Sequence, residues 1–332
     1  MEKLLTVIIP SYNVGKYLDK NIQSLVKENK NIDFLDVIIV NDGSKDNTLE
    51  IGRKYEKLFP NVVTVIDKEN GGYGSTINAG VSKAKGKYLR ILDGDDWVNT
   101  EHLENLLSFL EKCDSDVIYC DYEIFNEVTL ESDYQKVCNL APRIQYDYDQ
   151  TKFIRIVMHG QLIKTSIYKD NHIKIDEHCF YTDTEYITFA VPYISTVTYF
   201  DESIYVYRIG REGQSVSEKG WNAHEKDHEI VINSLLKQYE ELNPNISFYN
   251  YKREFLQQGL ALEMKKRIYG YQLMYKENEK SYRKRLNVLD KLVISKCPEV
   301  RTIHIGKAYE LFRKTNYNGV LMNLHKRLMS LR

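Results

Sequence analysis

Leu4-Leu5-Thr6-Val7-Ile8-Ile9-Pro10-Ser11-Tyr12-Asn13 carries an apolar, β-branched run into a proline and three polar residues. The run over Leu4–Ile9 reads as a buried strand and the break as the turn that ends it. The figure recurs downstream. Strands are expected at Leu35–Val40, Val62–Ile66, Tyr88–Leu92 and Val117–Cys120. Apolar residues at helical spacing predict helices at Val14–Lys27, Thr48–Leu58, Ser75–Lys85 and Thr100–Lys112, the last capped by Thr100. Short strands alternating with helices imply an α/β fold: a mostly parallel, Rossmann-like sheet with helices on both faces.

In such sheets ligands bind beyond the carboxyl ends of the strands. Four polar loops stand there: Pro10–Asn13, Asn41-Asp42-Gly43-Ser44, Asp67–Gly74 and Asp93-Gly94-Asp95-Asp96. The last is the sharpest. Three carboxylates in four residues repel one another, a cost that a cation offsets, and oxygen donors favour Mg2+ or Mn2+. An acidic turn capping the next helix is the plainer reading of the same residues. The glycine loop Asn70-Gly71-Gly72-Tyr73-Gly74 is not a dinucleotide fingerprint, because G-x-G-x-x-G from Gly72 meets Ile77 where glycine is required; no P-loop is present either. That loop either lets backbone approach a ligand or simply turns.

Order and spacing of these motifs resemble glycosyltransferase family 2, the inverting GT-A fold enzymes of bacterial polysaccharides and cell-surface glycans. The likeness rests on Val7–Asn13, Val40–Thr48, Asn70-Gly71-Gly72, Asn78-Ala79-Gly80, Ala84–Tyr88, Leu92–Asp96 and Tyr181–Tyr186. It implies a nucleotide-sugar donor, first a UDP-hexose or UDP-N-acetylhexosamine and second dTDP-rhamnose. Pro10, Tyr12, Asn13, Asp42, Gly71, Gly72, Asn78, Asp93 and Gly94 would line the donor site, with Asp42 accepting from uracil. Asp95 and Asp93 would be the D-x-D pair that holds Mn2+ or Mg2+, and Asp183 the base that takes the acceptor hydroxyl's proton. Glu185 is the fallback base. Two departures stand out: Ile77 replaces a frequent arginine, and Thr182 a frequent glutamate. Tyr205-Val206-Tyr207-Arg208 and Gln214–Ser217 resemble the family's closing motif, with Arg208 and Arg211 serving the leaving diphosphate. His159–Lys164 and the loop near His178 are expected to shape a glycan, lipid-linked or protein-linked acceptor.

After Cys120 the pattern weakens. Tyr122–Gln150 reads as irregular, Lys152–His159 and Thr182–Ala190 as helices, and Val197–Phe200 and Ile204–Tyr207 as two strands. A boundary near Glu218 would separate a catalytic domain, 1–218 (donor half 1–121, acceptor half 122–218), from an all-helical region, 219–332. That region is basic: Met264–Arg332 holds 17 Lys/Arg and 5 Asp/Glu, which leaves an acidic remainder. Lys265-Lys266-Arg267, Arg283-Lys284-Arg285 and Lys326-Arg327 would either rest on an anionic membrane or pack on the protein or a second copy. No nucleic-acid module accompanies the charge.

Five scattered cysteines without a C-x-x-C pair, no apolar run near the ~18 residues of a membrane span and no signal peptide predict a cytoplasmic protein, at the membrane's inner face if the basic tail binds there. Rivals remain. A nucleotidyltransferase would want a glycine- and lysine-rich loop where Ser11-Tyr12-Asn13 stands, and a non-catalytic nucleotide- or sugar-binding protein would have no use for Asp183.

Overall fold

The computed structural model describes residues 2–151, 157–211, 220, 223–274, 279–303 and 307–318. Two units emerge, Met1–Arg211 and Glu212–Arg332. The boundary expected near Glu218 falls outside the described residues.

In the first unit β1 (Leu5–Ser11), β2 (Leu35–Asp42), β3 (Val63–Lys68) and β4 (Tyr88–Ile91) lie in the order β3-β2-β1-β4, all parallel. Every residue of β1 and β2 is buried, as near-continuous Val/Ile runs require when both sheet faces are covered. Helices α1 (Gly15–Val26), α2 (Thr48–Leu58), α3 (Tyr73–Lys83) and α4 (Thr100–Leu110) follow the strands in turn. The cap of α4 is Asn99, whose side chain accepts from His102 N, and not Thr100; the hydroxyl of Thr100 bonds Ser24 O instead.

Beyond β4 the sheet becomes mixed: β9 (Gln161–Lys164) runs antiparallel between β4 and β6 (Val117–Asn126), and β10 (Thr196–Ile209) lies parallel to β6. The two short strands expected at 197–200 and 204–207 are one strand, interrupted by bulges between Phe200 and Tyr205. Asp201 and Glu202, in the gap between the two expected strands, sit at those bulges. The segment expected to be irregular supplies β7 (Glu131–Gln135) beside β6 and β8 (Gln145–Asp147) beside β10, with β5 (Trp97–Val98) on β10's remaining edge. Two short helices complete the unit, α5 (Thr165–Asp170) and α6 (Asp183–Thr188). Of the expected helix at 152–159, residues 152–156 lie outside the described residues and Met158–Gly160 is a single 3-10 turn.

The second unit contains helices at Asp227–Glu241, Tyr249–Met274, Glu279–Lys296 and Lys307–Lys314, with a 3-10 turn at Pro298–Arg301. Several of its basic residues are paired with acids of the same unit. Arg267, fully buried, and Arg285 both engage Glu225 and Glu229; Lys266 pairs with Glu263, Lys296 with Glu240, and Arg313 with Asp290. The expected membrane contact therefore finds no support in these charges, which neutralise carboxylates of their own unit. Lys326 and Arg327 lie outside the described residues. Among the described residues no helix is long and apolar enough to cross a membrane.

Candidate active site

The nucleoside side is built at the ends of β2 and β3, where Asp42 stands in register with Lys68. Asp42 is 3% exposed and already anchors a loop: Oδ1 accepts from Gly71 N (2.9 Å) and Lys68 Nζ (2.8 Å), and Oδ2 accepts from Gly72 N (2.9 Å). A carboxylate has about four lone-pair sites, so one on Oδ2 is left unused by the protein. Lys68 donates its other two hydrogens to Glu69 O and Ser75 Oγ, which fixes the counter-ion of Asp42 in place. Tyr12 presents an open ring, 52% exposed, beside buried Pro10. Asn13 takes the left-handed conformation (φ 53°) and its Oδ1 accepts from Lys45 N at 2.7 Å, so it ties the first loop to the second.

The glycine loop makes its close approach to protein, not to an open pocket. Gly72 (φ 83°) lies under His178, and a Cβ there would stand 3.1 Å from His178 N. Asn78, expected at the donor, gives both amide hydrogens to Ile175 O (2.9 Å) and Glu177 Oε1 (3.0 Å) and accepts from Ile175 N (3.0 Å). It holds the segment ahead of α6.

Asn21 of α1 grips the acidic turn at both ends, donating to Asp93 O (2.8 Å) and Asp96 O (2.9 Å). Gly94 faces Val14 Cγ2 and Pro10 O, which a Cβ would meet at 2.8 and 3.0 Å, so its lack of a side chain seats the turn against the first loop. The three carboxylates have different surroundings. Asp96, 1% exposed, accepts from Tyr205 Oη (2.5 Å) and Arg208 N (2.8 Å); burial, then Asp95 and Asp93, hold it well above the usual range. Asp93 accepts from Tyr73 Oη at 2.6 Å, and burial, then the charge of Asp95, push it up to about 7. Asp95 is turned onto Arg211. Arg208 lies between the rings of Tyr17 and Trp97, 4.8 Å from each, and donates Nε to Asp95 O. It is thus a brace of the turn, while Arg211 is the cation facing a carboxylate of the cluster.

Asp93, Asp96 and His159 bring ligand atoms within 4.8 Å of one another, with Asp95 outside the group. His159 stacks on Tyr207 (4.3 Å between centroids) and meets the edge of Tyr205 (4.7 Å). Burial and the nearby Arg90, which donates to His159 O (2.8 Å), push its imidazole down to about 3, so it stays neutral and keeps a lone pair for a cation. Two carboxyls held up by burial first and then by the charge of Asp95, beside a neutral imidazole, form a donor set that a divalent ion fits. Asp183, at the first turn of α6, shares this electrostatic environment: its charge raises Asp93, Tyr73 and Tyr207.

Several of these residues were not singled out from the sequence. Tyr73 had a signal, as an aromatic residue closing a glycine run; Asn21 had one too, as a polar residue on the apolar face of α1. Lys68 and Arg90 had none, since each finds its partner only through the sheet.

A family model described as Glycosyl transferase family 2 matches residues 6–171, half of the chain. The glycosyltransferase GlyA of Streptococcus pneumoniae is 28% identical over 218 residues, 62% of this chain and 30% of its own length. The poly(ribitol-phosphate) beta-N-acetylglucosaminyltransferase TarS of Staphylococcus aureus is also 28% identical over 218 residues, 64% of this chain and 36% of its own. The chain thus spans about a third of the length of these curated relatives. The crystal structure of S. aureus TarS 1–349 in complex with UDP superposes with a TM-score of 0.68 at 20% identity, covering 98% of this chain and 91% of that one. The same segment in complex with UDP-GlcNAc gives 0.65 at 22%, covering 98% and 92%. These two likenesses show a shared fold.

Proposed function

We propose a donor, a base and a cation site for this chain, which belongs to glycosyl transferase family 2 and is a glycosyltransferase. The donor is a UDP-hexose or, given the UDP-GlcNAc bound by the fold neighbour, a UDP-N-acetylhexosamine. The acceptor is a hydroxyl of a glycan, glycolipid or glycoprotein. The observation that carries this reading is the gathering of buried Asp42, the glycine loop it binds and the acidic turn Asp93–Asp96 at the carboxyl ends of the parallel strands.

The uracil N3–H points to Oδ2 of Asp42 and the ring lies on Tyr12. Cytosine offers an acceptor at that position and would be refused. The ribose reaches Asp93, and Arg211 leaves Asp95 to meet the diphosphate. Asp183 removes the acceptor's proton as its oxygen attacks the anomeric carbon from the face opposite the leaving diphosphate, which inverts that centre; such a base contributes roughly 10²- to 10⁴-fold. Asp93 is the cation ligand common to the expected pair with Asp95 and to the observed group with Asp96 and His159. A Mn2+ or Mg2+ ion bound there supplies positive charge to the leaving diphosphate as a Lewis acid.

A screen of nucleotide sugars, with and without Mn2+, tests the donor class; preference for a CDP-sugar would overturn the Asp42 assignment. Asp183→Asn should lose transfer by roughly 10²- to 10⁴-fold while calorimetry still records UDP binding. Wild-type turnover by that variant would remove Asp183 from the mechanism.

A further inference from the structure

Between α5 and α6 the chain crosses the start of α3, and residues 175–178 of this crossing are held from three sides. Asn78 of α3 commits both ends of its carboxamide to Ile175 and Glu177. Glu185 of α6 accepts Asp176 N on Oε2 at 2.8 Å. His178 N donates to Gly71 O at 2.6 Å. The fit is close enough to exclude side chains: a Cβ on Gly74 would stand 2.0 Å from Asp176 O and 2.8 Å from Ile175 Cγ2. His178 and Tyr181 both take left-handed conformations, φ 53° and 65°, at positions where glycine would be easier. The opposite face of the same glycine loop is bound by Asp42 through Gly71 N and Gly72 N. A continuous chain of bonds therefore runs from Asp42, through the glycine loop and residues 175–178, to the helix that begins with Asp183.

We propose that residues 175–178 are a strap that seats α6 on the glycine loop, which makes Asn78 and Glu185 positioning residues for the base Asp183; this rests on the assignment of Asp183 given above. The helix geometry separates the roles of its two acidic residues. Positions two apart on a helix are turned by about 200°, so Asp183 and Glu185 face different ways. The charge of Asp183 reaches Asp93 of the acidic turn, and Glu185 accepts from the strap. Glu185 is wholly buried, and its Oε1 has no partner. Burial first, then the charges of Asp176 and Asp183, push it up to about 8, which favours the neutral acid as the strap's acceptor. A base waiting for an acceptor proton needs the opposite properties, access and charge.

Asn78→Ala and Glu185→Leu should each cut transfer by roughly 10- to 100-fold, the scale of a catalytic group displaced by about 1 Å, with UDP affinity by calorimetry changed by less than about threefold. Glu185→Gln keeps a neutral oxygen for Asp176 N and should recover most of the transfer lost in Glu185→Leu. A Glu185→Gln variant as inactive as Asp183→Asn would overturn the proposal and make Glu185 the base. Equal losses of UDP affinity and of transfer would overturn it as well. Amide hydrogen exchange judges the strap independently of which residue is the base. In Asn78→Ala the amides of Ile175 through Asp183 should exchange faster while those of β1 and β2 do not; unchanged exchange at the strap refutes it. Normal turnover by Asp183→Asn, by contrast, removes the base assignment and leaves the exchange result to decide the strap.

Discussion

Replacing Gly74 with alanine sets two opposite effects against each other. Gly74 is the second residue of α3, where alanine is favoured over glycine by at most about 1 kcal/mol. Were the position open, the substitution would stabilise the protein. Here the new Cβ would stand 2.0 Å from a backbone oxygen of the strap, against the 3.4 Å at which ordinary contact begins. The strap or the helix must withdraw by about 1.4 Å, a kind of overpacking that costs about 1–3 kcal/mol. The net expectation is a loss of about 0–2 kcal/mol, which lowers the melting temperature by a few degrees in a unit of this size. Transfer should fall much further, by up to about 100-fold, because a shift of ~1 Å at a catalytic group has that effect. The assay pairs a thermal melt and UDP calorimetry with single-turnover transfer from the donor found in the screen. A melting temperature raised by several degrees together with unchanged transfer would refute the close contact between α3 and the strap, and with it the reasoning that couples them.

Three further outcomes follow from the same coordinates. Lys68→Met removes the fixed counter-ion of Asp42, and UDP affinity should fall by about 1–3 kcal/mol, a loss of roughly 5- to 150-fold; affinity equal to wild type by calorimetry would mean that Asp42 needs no such partner. Mn2+ affinity should weaken by up to about tenfold for each unit of pH below 7, since Asp93, held up to about 7, must lose its proton to bind a cation. The stability sign is opposite: a carboxyl whose folded pKa is raised favours the metal-free folded state as pH falls from about 7 towards 4, so a flat titration between pH 5.5 and 8 contradicts both. In the second unit, Arg267→Met leaves Glu225 and Glu229 with Arg285 alone and should cost about 3–5 kcal/mol in urea unfolding. Adding Glu225→Gln and Glu229→Gln should return part of that loss, and no return would assign the cost to packing on Tyr282, whose ring centroid lies 3.8 Å from the Arg267 guanidinium.

The parallel half of the sheet was legible because β1 to β4 are covered on both faces, so burial writes itself as uninterrupted Val and Ile. Helix α2 fell on its expected bounds, Thr48–Leu58. β7 left no such trace: Glu-Ser-Asp-Tyr-Gln is largely exposed on both faces, and only its pairing with β6 makes it a strand. Likewise, polar Asp201 and Glu202 interrupt the apolar pattern, so one bulged strand read as two. At the site, sequence motifs identified which residues gather but not which way they face. Asn78 sits among family-like donor residues, yet its partners are 97 and 99 positions later and belong to the strap. Asp95 and Asp96 are neighbours in sequence with separate fates, one on Arg211 and the other under Tyr205, settled by a strand more than 100 residues away. The charge of the second unit was misleading for the same reason, since a count of lysines and arginines does not reveal which acids they meet.

The bonds that steady the acidic turn have a consequence for when the site can exist. Asp96 is held by Tyr205 and by the backbone of Arg208, 109 and 112 positions further on. During synthesis every carboxylate of the turn is thus made long before the strand that tames it. A chain clipped ahead of β10 would hold Asp42, the whole glycine loop and Tyr73 on Asp93, yet leave Asp95 and Asp96 without their donors. The acidic turn therefore gains its full set of bonds only when β10 joins the sheet.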